Sequence, residues 1–157
     1  MKRHKNNAGF SLVELILVMS IMAILTGLIT INLANSQQKA SLSSLVQNLI
    51  SDIRQQQIKA MAGDTEGGAS ASSYGIHIDS NKYVLFRGAS YVPDPSNFAV
   101  SLPNNMIFVT TGLDIIFLKT KGEVDPPAPA SIQLQDTTNS NTKTIQINKY
   151  GVITSVN

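Results

Sequence analysis

The sequence predicts an α+β protein: one long N-terminal helix, apolar at first and amphipathic later, packed on a C-terminal antiparallel β-sheet. Three observations predict it. No residue from Leu15 to Ile31 carries a charge. From Asn35 to Met61 the chain has neither Gly nor Pro, and its apolar residues recur at helical period. After Ser73 the pattern changes to the two-residue alternation of strands. One helix followed by a run of short strands is the order of an α+β domain.

The elements follow in order. Residues 1–9 carry Lys2, Arg3 and Lys5. The segment 10–34 that follows approaches the roughly 20 apolar residues a helix needs to cross a bilayer. The basic flank predicts a cytoplasmic N-terminus and places everything beyond residue 34 outside. A secretory signal peptide would have a shorter apolar centre and a small-x-small cleavage site, which INLANSQ does not offer. A plain signal anchor fits the length but leaves Glu14 unexplained. A carboxylate at the centre of a membrane helix costs about 2.5–3.5 kcal/mol on insertion scales, and less near the end.

Over 35–62, Leu42, Leu45, Val46, Leu49, Ile53 and Ala60 form one apolar stripe, opposite a solvated face of Ser44, Gln47, Asn48, Ser51 and Gln55. Gln56 intrudes on the stripe and Ile58 falls outside it. Phe10 to Ala62 reads as one helix of about 80 Å at 1.5 Å per residue. It has no Pro, and Gly27 is its one weak point. Gly63 ends the helical pattern, and GDTEGGASASS reads as a flexible loop; it lacks the GxxxxGK[ST] spacing of a phosphate cradle. In the β-rich part, 74–157, YGIHID and KYVLFRG flank Ser80-Asn81 as a hairpin, and MIFVT, DIIFLKT, ASIQLQ and KTIQINKYGVITSV supply further strands. GASYVPDPSNFAVSLP and the proline-rich GEVDPPAPA read as loops.

Composition removes several function classes. The net charge of +2 comes from the first few residues: beyond residue 34 there are nine Lys/Arg and nine Asp/Glu, so no basic face is expected. The chain has no cysteine, which excludes disulfides, thiolate metal sites and a Cys nucleophile. His77 is the only histidine beyond the leader, too few for a His metal cluster or a triad. On an alternating strand it is expected to be a surface or half-buried residue. Asp94, Asp125 and Asp136 lack EF-hand spacing. No catalytic residue, metal or cofactor is expected.

The residues AGFSLVEL, followed by the apolar run, resemble the class III leader of type IV pilins and the related pseudopilins. The resemblance implies cleavage by a prepilin peptidase between Gly9 and Phe10, N-methylation of the new N-terminal Phe10, and a signature glutamate at Glu14. It implies that Glu14 of one subunit faces the Phe10 ammonium of its neighbour, favouring one axial register in the filament. Many pilins have a Pro partway along this helix; this chain does not. The strand-rich half is most similar to the GspH/FimT group of minor pilins and pseudopilins, through L-x-x-x-I-R at Leu49 to Arg54, YGI at Tyr74 to Ile76, IIF-x-x-x-K-G at Ile115 to Gly122, and TIQINKYGVI at Thr144 to Ile153.

The resemblance thus implies a single-pass inner-membrane protein with a periplasmic or extracellular head over 35–157, later a structural subunit of a type II secretion pseudopilus or a type IV pilus. Its partners would be other pilin or pseudopilin subunits, the prepilin peptidase, the inner-membrane assembly platform, and membrane lipid before assembly. The alternative is a FimT-like minor pilin that captures DNA through basic residues near its C-terminus. Lys119, Lys121, Lys143 and Lys149 give only a thin scatter of positive charge for that. Lysines at strand edges also discourage aggregation.

Overall fold

A computed structural model describes residues 11–126 and 129–157, with the side chains of all of these except 28–35 and 38. It divides into two compact units, Met1–Gln37 and Gln38–Asn157. One helix, α1 (Leu12–Ala62), contributes to both.

In the first unit α1 is apolar all round and continues through Gly27 without a break. Two of its hydroxyls bond within the helix. Ser20 Oγ donates to the Ile16 carbonyl at 2.8 Å and Thr26 Oγ1 to the Met22 carbonyl at 2.7 Å. Such i−4 bonds let Ser and Thr sit in an apolar helix without an orphaned donor.

In the second unit α1 buries the expected stripe. Leu42, Val46, Leu49, Ile53 and Ala60 are buried and Leu45 partly so, while Ser44, Gln47, Asn48, Ser51 and Gln55 are exposed. Gln56 is buried with the stripe, and Ile58 is exposed. Fully burying a Leu or Ile contributes about 1.5–3 kcal/mol, so Leu49 and Ile53 are principal anchors of the helix. The helix ends in a Schellman motif. Gly63 takes the left-handed conformation (φ 66°), its N–H donates to the Ala60 carbonyl at 3.2 Å, and the Asp64 N–H donates to the Lys59 carbonyl at 3.0 Å. The Thr120 N–H also reaches the Ala60 carbonyl, at 2.8 Å.

Nine strands follow: β1 (Tyr74–Ile78), β2 (Lys82–Arg87), β3 (Phe98–Ser101), β4 (Met106–Phe108), β5 (Leu113–Phe117), β6 (Val124–Asp125), β7 (Ala130–Asp136), β8 (Thr142–Ile147) and β9 (Ile153–Val156). They form two antiparallel sheets rather than the single one expected. The first has the order β3-β2-β1-β5-β6 and the second β4-β7-β8-β9. The β1–β2 hairpin closes around Ser80-Asn81 as expected, with Ile78 opposite Tyr83.

Two segments expected to be loops contain strands. Phe98–Ser101 is an edge strand paired only to β2, and Val124–Asp125 adds a two-residue strand to β5. Prolines flank both, yet an edge strand needs ladder bonds on one side only, so nearby Pro does not prevent it. The expected flexible loop over 63–73 is also tied down. Glu66 pairs with Lys59 at 2.6 Å, the Tyr74 hydroxyl donates to the Asp64 carbonyl at 3.0 Å, and Arg87 Nη2 donates to the Ser70 carbonyl at 3.3 Å.

The core lies on one side of β1. Tyr74, Ile76 and Ile78 point to it with Tyr83 of β2, and the second sheet adds Ile132, Leu134, Ile145 and Ile147. Their partners in alternation, such as Ser131 and Gln146, are exposed, which is the half-buried strand pattern.

Candidate functional site

The expected processing residues, Gly9 and Phe10, lie outside the described residues. Glu14 lies within them, in the first turn of α1. Ser11 caps this turn: its Oγ accepts from the Val13 N–H at 3.3 Å and its carbonyl accepts from the Leu15 N–H at 3.2 Å. Glu14 Oε2 reaches back to accept from the Ser11 N–H at 3.1 Å. This is the reciprocal arrangement of a capping box, in which an N3 glutamate satisfies the N-cap donor. Its negative charge also sits favourably at the positive end of the helix dipole. Glu14 therefore has an intrasubunit role that the expectation of an intersubunit partner did not include. The S-x-x-E signal was present as Ser11 to Glu14.

Beyond Glu14 the helix offers an unbroken apolar surface. Leu12 is 74% exposed and Ile24 65%, and Val13, Leu15, Ile16, Leu17, Val18, Met19, Ile21, Met22 and Leu25 are all exposed. A contiguous apolar surface of this kind marks an interaction with a membrane or another protein. Among the described residues, no helix is long and apolar enough to cross a membrane. The expected span 10–34 reaches past the described side chains at both ends.

Residues 4–30 match the model of the prokaryotic N-terminal methylation motif. This motif is one that type IV pilins and pseudopilins carry at their N-terminus, and here it spans the first part of the chain alone. The match covers Lys5 of the basic flank, Gly9, Phe10, Glu14 and most of the apolar run. No curated protein and no solved structure matches the chain. The pilin motif implies processing by a prepilin peptidase, assembly with other pilins, and a membrane-anchored stage before the filament. The α+β fold is pilin-like, and pilins are structural, non-enzymatic proteins.

Two of the strand-half motifs meet in space around a residue that sequence reasoning missed. Gln57 of α1 donates from one amide nitrogen to the Gly122 carbonyl at 3.0 Å and to the Tyr150 carbonyl at 2.9 Å. Gly122 ends the IIF-x-x-x-K-G stretch and Tyr150 sits within TIQINKYGVI. The Val124 N–H donates to the Lys149 carbonyl at 2.9 Å, joining the same two turns directly. No sequence signal distinguishes Gln57 from its neighbours Gln55 and Gln56, because its partners are remote in the chain.

These turns also gather Lys119, Lys121 and Lys149, which looked scattered in sequence. Glu123 and Asp125 lie on the same segment, and Lys149 Nζ sits 5.0 Å from the Tyr150 ring centroid. The surface is of mixed sign rather than a basic patch.

Proposed function

We propose that this chain is a minor pilin or pseudopilin of the GspH/FimT type, a structural subunit of a type II secretion pseudopilus or a type IV pilus. The observation that carries the reading is the conjunction of the methylation motif with the exposed apolar surface of α1 that follows it. That surface is held by lipid while the subunit waits in the inner membrane and by neighbouring helices once it enters the filament. Cleavage falls between Gly9 and Phe10, and Phe10 is N-methylated. Methylation of an amine keeps its positive charge, so Phe10 remains able to face Glu14 of the next subunit.

Glu14 changes partners on assembly in this reading. In the lone subunit it accepts from the Ser11 N–H. In the filament the neighbouring Phe10 ammonium is a charged competitor in a low-dielectric bundle, where a like-for-like exchange of partners avoids an unpaired carboxylate. The GspH/FimT assignment is supported by Leu49 and Ile53 in the core and by the junction of the Ile115–Gly122 and Thr144–Ile153 stretches at Gln57.

Mass spectrometry of the N-terminus, on protein from its native membrane, tests the processing. A mature chain beginning at methylated Phe10 is expected. An intact Met1 start, in a host with active prepilin peptidase, overturns the proposal. In parallel, Glu14→Ala is expected to accumulate in the membrane but to be lost from filaments.

A further inference from the structure

A cluster on the far side of the first sheet has no part in the assembly described above. His77 sits mid-strand in β1, with its neighbours Tyr74, Ile76 and Ile78 facing the core and its own ring facing the other way. On that outer face Val84, Phe86 and Ile116 are buried, yet none belongs to the main core. Tyr91, from the segment between β2 and β3, lies against Phe86. Its ring stacks on the His77 ring at 3.9 Å between centroids and 7° between planes, and meets Phe86 edge-on at 5.5 Å.

The hydrogen bonds within 89–97 hold the segment's own shape. Asp94 Oδ1 accepts from the Ser96 N–H at 2.8 Å and from its hydroxyl at 2.6 Å, and Asn97 Nδ2 donates to the Val92 carbonyl at 2.8 Å. The Gly88 N–H ties the start of the segment to the Ser73 carbonyl at 2.9 Å, and the ring contacts of Tyr91 seat its middle on the sheet.

Both nitrogens of His77 face carboxylates. Nδ1 lies 2.5 Å from Asp114 Oδ1, and Nε2 lies 3.3 Å from Asp79 Oδ1. Lys82 Nζ stands 3.6 Å from the other Asp79 oxygen. Asp114 of β5, Asp79 and Lys82 of the β1–β2 hairpin, and Tyr91 are the titratable and charged groups around the ring. A neutral imidazole has one donor nitrogen and one acceptor nitrogen. Only the imidazolium can donate to both carboxylates, and a cation also stacks more favourably on the face of Tyr91.

We propose that His77 is a proton-operated latch: charged, it holds the 89–97 segment over the sheet through Tyr91; neutral, it releases the segment and uncovers Phe86. Loss of the proton turns one ring nitrogen into an acceptor facing a carboxylate, which drives the ring out of place and removes the platform under Tyr91. The head, facing the cell exterior, thus presents a covered face in acid and an apolar one in alkali.

Hydrogen-exchange mass spectrometry on the full chain in detergent micelles tests this, at about pH 5.5 and about pH 8, which bracket the range where histidine side chains in general change charge. Rates are corrected for the chemical pH dependence of exchange, and the β8 amides serve as an internal standard of global folding. Amides of 89–97 should exchange about tenfold faster at the higher pH relative to β8, the change expected from losing roughly one charge-assisted hydrogen bond. His77→Gln should abolish the pH dependence, and Tyr91→Ala should leave the segment fast at both values with His77 intact. Equal protection at both pH values in the unaltered chain overturns the proposal. So does a pH dependence that survives in His77→Gln while β8 stays protected.

Discussion

Replacing Tyr83 by Phe removes one oxygen and leaves the packing of the ring intact. The ring is only 2% exposed and meets Phe108 edge-on at 6.2 Å, a contact Phe preserves. The lost hydroxyl is the one that donates from β2 to Asp52 Oδ2 on α1 at 2.6 Å, a direct polar tie between helix and sheet. Hydrogen bonds to charged groups contribute about 1.5–3 kcal/mol. Asp52 is only half-buried, so water can replace the lost donor and the cost falls toward the lower end, about 1.5–2 kcal/mol. For a unit of this size that corresponds to a fall in Tm of about 8 °C. Thermal unfolding of the full chain in detergent, followed by circular dichroism, measures it.

The pH dependence gives an independent check. Burial, then the hydrogen bond and charge of Asp52, push the Tyr83 phenol above its ordinary value. A group whose folded pKa is raised contributes stability that is complete below the unfolded value, about 10 for tyrosine, and lost as pH climbs through the folded one. The unaltered chain should therefore lose stability above pH 10 more steeply than Tyr83→Phe does. Tyr74, whose phenol is also raised, chiefly by burial, leaves a weaker alkaline dependence in the variant. A double-mutant cycle with Asp52→Asn isolates the coupling. A Tyr83→Phe cost under about 0.5 kcal/mol, with no coupling in the cycle, would refute the reasoning, since it would place the pair in the range of exposed surface contacts.

Gln57→Ala deletes the donor shared by Gly122 and Tyr150 and should cost about 1–3 kcal/mol at roughly 0.5–1.5 per hydrogen bond; Gln57→Glu should cost more, because a carboxylate facing two carbonyls is repelled by them. Denaturant unfolding of both variants ranks them, and equal stability of Glu and Gln would sink the assignment. Gly75→Ala should destabilise by about 1–3 kcal/mol. Its new Cβ would come within 2.5 Å of the Phe86 ring and 2.9 Å of the Ile115 carbonyl oxygen, and the latter is backbone held in the β1–β5 ladder. The same variant should speed exchange in 89–97, because Phe86 is one of the two rings that seat Tyr91.

Legibility in the sequence followed the range of the interactions. The apolar stripe of α1, its end at Gly63 and the hairpin around Ser80-Asn81 are written in local spacing, and each stands where that spacing puts it. Even the misfit of Gln56 was visible, since an amide on an apolar stripe must be buried with it. The oxygen of that amide is buried with no hydrogen-bond partner among the described residues. What local spacing conceals is pairing across the chain. The division into two sheets depends on which strands meet, which the alternation of SIQLQ or TIQIN does not encode. The edge strand at Phe98 was hidden by the prolines on either side of it. Gln57, and the carboxylates flanking His77, gain their roles only when β5 and the two C-terminal turns arrive beside them. The candidate assembly site shows the opposite case: the methylation motif and the capping box are both contiguous, and so were available from the first thirty residues.

The fastening of the last turn of α1 also defines how the head bears load. In the filament role proposed above, drag on the head would reach its sheets through the second half of α1. Besides the buried stripe and the bond from Tyr83 to Asp52, that load leaves α1 through the Gln57 amide and the Ala60 carbonyl, which are bound by Gly122, Tyr150 and Thr120. These three residues lie in two turns that are themselves joined by the bond between Val124 and Lys149. Tension is thus shared between both sheets at once instead of peeling one strand at a time, and the head resists being stripped from its stem where the helix stops.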